Sequence, residues 1–221
     1  MAEKTILTLE QKNLLNLISQ NKTICRNFYL TGGTALAEFY LHHRYSEDLD
    51  FFSEKEFTAS SILTFLKSLQ QPAKIKKIDY QQSFNRHLFF LHLTSKEIIK
   101  LEFTYFPFTR IDQKNKKNNL LIDSLIDIAV NKIFTIYQKP RARDFIDLYF
   151  ILQIKKWPLK DLLAKAKIKF DWHIDPLQLG SQLLQVKTVK DYPRLLKKID
   201  RKKWQDFFLK EAKNIEKNIF A

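Results

Sequence analysis

With one cysteine in 221 residues, Cys25, the chain can form no intramolecular disulfide and no cysteine-rich zinc site, which fits a reducing compartment. Cytoplasm is the expected location. No apolar run approaches the roughly 20 residues that a membrane-spanning helix needs, and no signal-type apolar segment follows the opening Met-Ala-Glu-Lys-Thr, so no membrane partner is expected. Glycine is scarce as well. Of three in the chain, two are adjacent, Gly32 and Gly33. Acidic residues are outnumbered, 24 Asp and Glu against 38 Lys and Arg, for a net charge of +14. From residue 155 onward the balance is 17 basic to 8 acidic, leaving +9 at the C-terminal end. Such an excess suits a polyanionic partner, nucleic acid being the commonest, because each cation set on a phosphate releases counterions. A lysine-rich solvated surface has the same composition, and charge alone does not choose between them.

Apolar spacing predicts a first helix over 7–18, a short strand at 28–30, and a helix over 35–41 that Thr34 is placed to cap. A strand is expected at 49–52, a helix with a Ser or Thr cap over 58–69, and strands near 74–80, 87–94 and 98–106. Residues 112–119 are all polar, mostly Lys and Asn, and read as a linker. Beyond them helices are predicted over 123–137, 143–153, 159–169, 176–185 and 201–219. The expected fold class is α+β: an N-terminal mixed sheet with helices over 1–111, followed by an all-helical part over 120–221.

The glycine pair lies between a predicted strand and a predicted helix. There it permits backbone angles closed to other residues, and the helix N-terminus behind it offers N–H groups to a phosphate, so a triphosphate tail fits. An ordinary tight turn is the simpler alternative. In Ser46-Glu47-Asp48-Leu49-Asp50-Phe51-Phe52, strand alternation puts Asp48 and Asp50 on one face and turns Leu49 and Phe51 to the core. Two neighbouring carboxylates call for a cation, and Mg²⁺ (or Mn²⁺), held by acids and phosphate oxygens, supports in-line nucleotidyl displacement. Solvated turn acids are the alternative. Farther on, Lys100, Glu102 and Thr104 share a strand face. If that strand lies beside the Asp48 strand, Glu102 joins the pair as metal ligand or as general base; otherwise Lys100 and Glu102 form a water-facing pair on an edge strand.

Leu30-Thr31-Gly32-Gly33-Thr34-Ala35-Leu36, followed by His43-Arg44-Tyr45-Ser46-Glu47-Asp48-Leu49-Asp50-Phe51, closely resembles the first motif of the nucleotidyltransferase-fold toxins of the AbiEii/AbiGii abortive-infection type. It is also similar to the polymerase-β superfamily pattern of glycine turn, helix and paired-aspartate strand. In that family a strand acid follows, here Glu102 where many relatives carry Asp. A helical lysine comes next, matched by Lys132, then an Arg-Asp-x-x-Asp-Leu-Tyr segment, matched by Arg143-Asp144-Phe145-Ile146-Asp147-Leu148-Tyr149. The likeness covers about 29–152. It implies a polymerase-β-like core, with Asp48, Asp50 and Glu102 at the metal, Gly32, Gly33 and Thr34 around the triphosphate, and Ser46 shaping the site.

Helical periodicity bears on the lysine independently. Leu125, Ile128, Ala129, Ile133 and Ile136 form an apolar stripe, and Lys132 falls on it, so an inward ammonium must meet an anion. Phosphate and the carboxylates of the next helix are both candidates. The expectation is both together, with Asp144 orienting Lys132. Asp147 either binds a nucleotide hydroxyl or supports packing, and Arg143 either meets substrate or lies on the surface. His42 and His43 either contact phosphate or, the more common case at a helix end, are surface groups that complement its dipole; Cys25 is expected as a packed thiol, and the phenylalanines as core.

The resulting functional expectation is transfer of a nucleoside monophosphate from a nucleoside triphosphate (NTP) to an acceptor. The resemblance implies that this acceptor is the 3′ end of tRNA, that the protein is a toxin, and that a cognate antitoxin exists. Two other readings stay open: the same fold acting on a small-molecule or protein hydroxyl, and a catalytically silent nucleotide-binding module.

Overall fold

The computed structural model describes residues 5–113 and 115–219. Residues 1–4, and Lys114 of the expected linker, lie outside them. The described residues form two compact units, one within 5–40 and 45–124, the other within 41–44 and 125–219.

The first unit is a seven-stranded mixed sheet ordered β3-β4-β5-β2-β1-β7-β6. Helix α1, Leu9–Gln20, starts at a capping box in which Thr8 and Gln11 bond each other's main-chain N–H. A short α2, Lys22–Asn27, precedes β1, Tyr29–Thr31. Helix α3, Gly32–Leu36, follows at once and runs on as a π-helical turn, Ala37–Leu41. Next come β2, Leu49–Ser53, and α4, Ala59–Ser68, capped by the Thr58 hydroxyl as expected. Strands β3, Ile75–Ser83, β4, Arg86–Leu93, and β5, Ile98–Tyr105, form an antiparallel meander. β5 then pairs in parallel with β2.

Two features depart from the expected plan. The N-cap of α3 is Thr31, with Thr34 already inside the helix, because the left-handed φ of Gly32, +71°, lets the chain turn directly from strand into helix. The polar stretch read as a linker contains β6, Lys116–Lys117, which hairpins onto β7, Leu120–Ile122; β7 joins the sheet in parallel beside β1. Three apolar residues next to a helix give too little periodicity to announce a strand.

On one face of the sheet Leu49, Phe51, Phe89, Leu101 and Phe103 are buried, with the Phe51 and Phe103 rings stacked 5.1 Å apart. Strand alternation therefore sends Asp50, Lys100 and Glu102 to the opposite face.

The second unit comprises α5, Leu125–Gln138, α6, Ala142–Lys155, α7, Leu159–Phe170, α8, Pro176–Leu184, and α9, Arg201–Ile219. Ile133, Phe145, Leu148, Leu162, Leu183, Trp204 and Phe208 build its core. Asp175 caps α8, with Pro176 in the first turn. The 41–44 segment is held within this unit, its His43 carbonyl accepting from the N–H groups of Leu196 and Lys197. No described helix is long and apolar enough to cross a membrane.

Candidate functional site

Sheet register assembles the acidic site in the first unit. Thr31 of β1 lies opposite Asp50 of β2, and Asp50 lies level with Glu102 of β5. Gly32 comes immediately after Thr31, so its turn packs under the Asp50 carboxylate. A Cβ built on Gly32 would overlap Asp50 Oδ2 and stand 3.2 Å from its Cγ. Glycine is thus required twice there, for its φ and for the close approach of the acid. Thr34, fully buried, donates its hydroxyl to the main-chain oxygen of Asp48. The threonine expected to cap the helix instead ties it to the strand entrance that carries the two acids. Ser46 is half-buried two residues ahead of Asp48.

Two basic side chains reach these acids. Lys100 Nζ donates to Asp48 Oδ2 at 2.7 Å. Arg86, on β4, forms a two-pronged contact with Glu102, Nε to Oε1 at 2.6 Å and Nη2 to Oε2 at 2.5 Å. Burial pushes the Glu102 carboxyl up, but Arg86, helped by Thr104 and Lys100, outweighs burial and holds it below the usual carboxylate range. β5 is not an edge strand, and Lys100 and Glu102 do not pair with each other. Each reaches a neighbouring strand. Local sequence pattern does not mark Arg86, because only the β4–β5 register, with Arg86 opposite Thr104, brings it to Glu102.

Among the described residues no group of three or more His, Cys, Asp or Glu is arranged as a ready-made metal cluster. The donor set nevertheless suits a hard cation. Asp48 and Asp50 offer carboxylate oxygens alone, and a positive group already sits 2.7 Å from one of them.

In the second unit Lys132 lies on the buried side of α5, as its place in the apolar stripe required. Its ammonium is 2.6 Å from Asp144 Oδ1 and 2.7 Å from Asp147 Oδ2. Asp144 also accepts from Arg141 Nε at 2.6 Å. Asp147, with no exposed surface, further accepts from Arg44 Nε at 2.7 Å, Arg44 Nη2 at 2.9 Å and the His43 ring at 2.7 Å. Burial would raise both carboxyls. For Asp144 it is outweighed by Lys132 and Arg141, and for Asp147 by Lys132, Arg44 and His43, so both stay ionised and Asp147 lies well below its ordinary value.

His43 is not the surface group expected at a helix end. It is fully buried, and its partner Asp147 lies 104 residues along the chain, beyond the reach of local pattern. Burial lowers its pKa, partly offset by Asp147, and its Nδ1 is buried without a hydrogen-bond partner. The neutral Nε2–H tautomer satisfies Asp147; a second proton would be stranded on Nδ1. Because the folded pKa lies below the unfolded value of about 6.5, this contribution to stability is present above that pH and is lost as pH falls. The loss is at most about 1.4 kcal/mol per pH unit. Thermal midpoints measured between about pH 8 and pH 5.5 are expected to drop toward the acid end, with a shallower drop in His43→Gln.

Four likenesses accompany this geometry. The profile of the family described as nucleotidyl transferase AbiEii toxin, type IV TA system, matches residues 19–216. The uncharacterised protein aq_aa25 of Aquifex aeolicus (strain VF5) is 35% identical over 149 residues, which make up 66% of this chain and 68% of that protein. Among solved structures, JHP933 from Helicobacter pylori superposes with a TM-score of 0.61 at 23% identity, over 95% of this chain and 91% of its own. A structure called a putative nucleotidyltransferase, also from H. pylori, gives 0.62 at 23%, over 96% and 97%. At that identity the two structures speak for the fold, and the expected α+β class holds.

Proposed function

We propose that this chain, which belongs to the AbiEii family of nucleotidyltransferase toxins, transfers a nucleoside monophosphate from an NTP to the 3′ end of a tRNA in the cytoplasm. Membership makes it a nucleotidyltransferase with an NTP substrate and a cognate antitoxin. The acceptor and the residue roles are our reading. The observation that carries it is that Asp48 and Asp50 stand at the entrance of one strand, with Asp50 level with Glu102 and the Gly32 turn closed against Asp50.

Asp48 and Asp50 would hold Mg²⁺ or Mn²⁺, which when bound supplies charge neutralisation for the departing pyrophosphate. Glu102 is a better partner for a cation than for a proton: held ionised by Arg86, it is a weak general base near neutral pH. Gly32, Gly33 and Thr34 shape the turn that faces the triphosphate, and Ser46 borders it. Within the second unit Asp144 orients the Lys132 ammonium. Asp147, already accepting from three cationic or ring groups, supports the helix pair and the 41–44 segment. Exposed lysines of the second unit, among them Lys165, Lys167, Lys202, Lys203 and Lys210, provide positive surface for a polyanionic acceptor. Lys169 does not contribute, since it is buried against Asp127 at 2.7 Å.

The test is incubation with each α-³²P-labelled NTP, Mg²⁺ and total tRNA, beside the Asp48→Ala, Asp50→Ala double variant. Label on tRNA with the unsubstituted protein alone supports the proposal. Triphosphate binding with no label on tRNA overturns the acceptor and turns the search to small-molecule or protein hydroxyls. Binding without turnover on any acceptor means a silent nucleotide-binding module.

A further inference from the structure

Lys100 is bonded to one of the two acids that would hold the metal ion. Its strand, β5, is the parallel neighbour of β2, and the Leu49–Leu101 register sets Lys100 level with Asp48. Its ammonium lies 2.7 Å from Asp48 Oδ2, with 26% of the lysine side chain and 39% of the aspartate side chain exposed. A pair so accessible to water contributes little to stability, so the bond can be exchanged at small cost. Lys100 also lies on the Glu102 face of β5, and its charge acts on that carboxyl as well.

We propose that Lys100 is the resident counter-cation of Asp48. It opposes entry of a divalent ion into the nucleotide-free site, gives up Asp48 when metal and triphosphate arrive together, and then takes an anionic phosphate oxygen. A divalent ion alone meets an ammonium on the oxygen it needs and repulsion from it afterwards. An ion accompanied by a triphosphate brings the negative charge to which that ammonium transfers. Metal and nucleotide therefore bind cooperatively through a side chain that leaves one anion for another. This inference rests on the reading of Asp48 as a metal ligand, and its test keeps the two apart.

The test is titration of the nucleotide-free protein with Mn²⁺, followed by calorimetry and by the loss of free-ion paramagnetic signal. It compares the unsubstituted chain with Lys100→Met, Lys100→Gln, Asp48→Asn and the Lys100→Met, Asp48→Asn double variant. Both lysine replacements are expected to tighten Mn²⁺ binding roughly three- to tenfold, and the gain should vanish in the double variant relative to Asp48→Asn. With a non-hydrolysable NTP analogue and Mn²⁺ together, the same replacements should weaken nucleotide binding. Unchanged or weaker Mn²⁺ binding in both lysine variants, with Asp48→Asn still weakening it, overturns the role of Lys100 and leaves the metal reading standing. If Asp48→Asn leaves Mn²⁺ affinity as it was, the metal reading fails and the inference falls with it.

Discussion

Asp147→Ala is expected to destabilise the protein by about 3–5 kcal/mol, measured by denaturant unfolding at neutral pH. The carboxylate is fully buried and accepts from His43, Arg44 and Lys132, so its removal takes one negative charge from beside two cations in a site nearly closed to water. Lys132 keeps Asp144, at 2.6 Å. Arg44 loses two hydrogen bonds to Asp147 together. The 41–44 segment, whose place in the second unit depends partly on that clamp, should become the first to exchange its amide hydrogens. A cost under about 1 kcal/mol would mean that water or a rearranged partner reaches the cluster.

The largest expected effect on activity comes from the other unit. Asp48→Asn and Asp50→Asn are each expected to lower kcat/KM for nucleotidyl transfer about 10³-fold or more, which corresponds to roughly 4 kcal/mol of lost transition-state stabilisation. Neither should disturb folding by more than about 1 kcal/mol, because both side chains are partly exposed and asparagine keeps their size. The two should differ in one respect. Asp48→Asn frees Lys100 from its carboxylate, whereas Asp50→Asn leaves that pair intact and changes the group that packs over Gly32. Activity within tenfold of the unsubstituted protein for both variants would remove these acids from the chemistry and with them the proposed function.

Much of the site was legible because it is local. A glycine pair between strand and helix, and two acids entering an apolar strand, are patterns of a few residues whose geometry follows from backbone angles and strand alternation. The inward lysine was legible for a similar reason, since helical periodicity sets Lys132 on the apolar stripe whatever lies opposite. By contrast, the register that makes Asp50 and Glu102 neighbours joins residues 52 apart in the chain, beyond the reach of any local pattern. Arg86 carried no signal of its own. Its role follows from a hairpin that sets it beside Glu102.

Side-chain type and periodicity were thus enough to determine an α+β chain with a sheet-bearing N-terminal part, a helical C-terminal part, and a paired-acid strand after a glycine turn. Both signals act over one or two turns of chain, where covalent geometry dictates which side chains share a face. Apart from the Lys132–Asp144 pair, tertiary structure decided which basic group meets which acid. Lys100 goes to Asp48 and Arg86 to Glu102, while Asp147 takes Lys132, Arg44 and His43. In a sequence with 38 basic residues and 24 acidic ones many such pairings are chemically equivalent. Strand register and burial make only a few of them close enough to form, and burial makes those few hard to break.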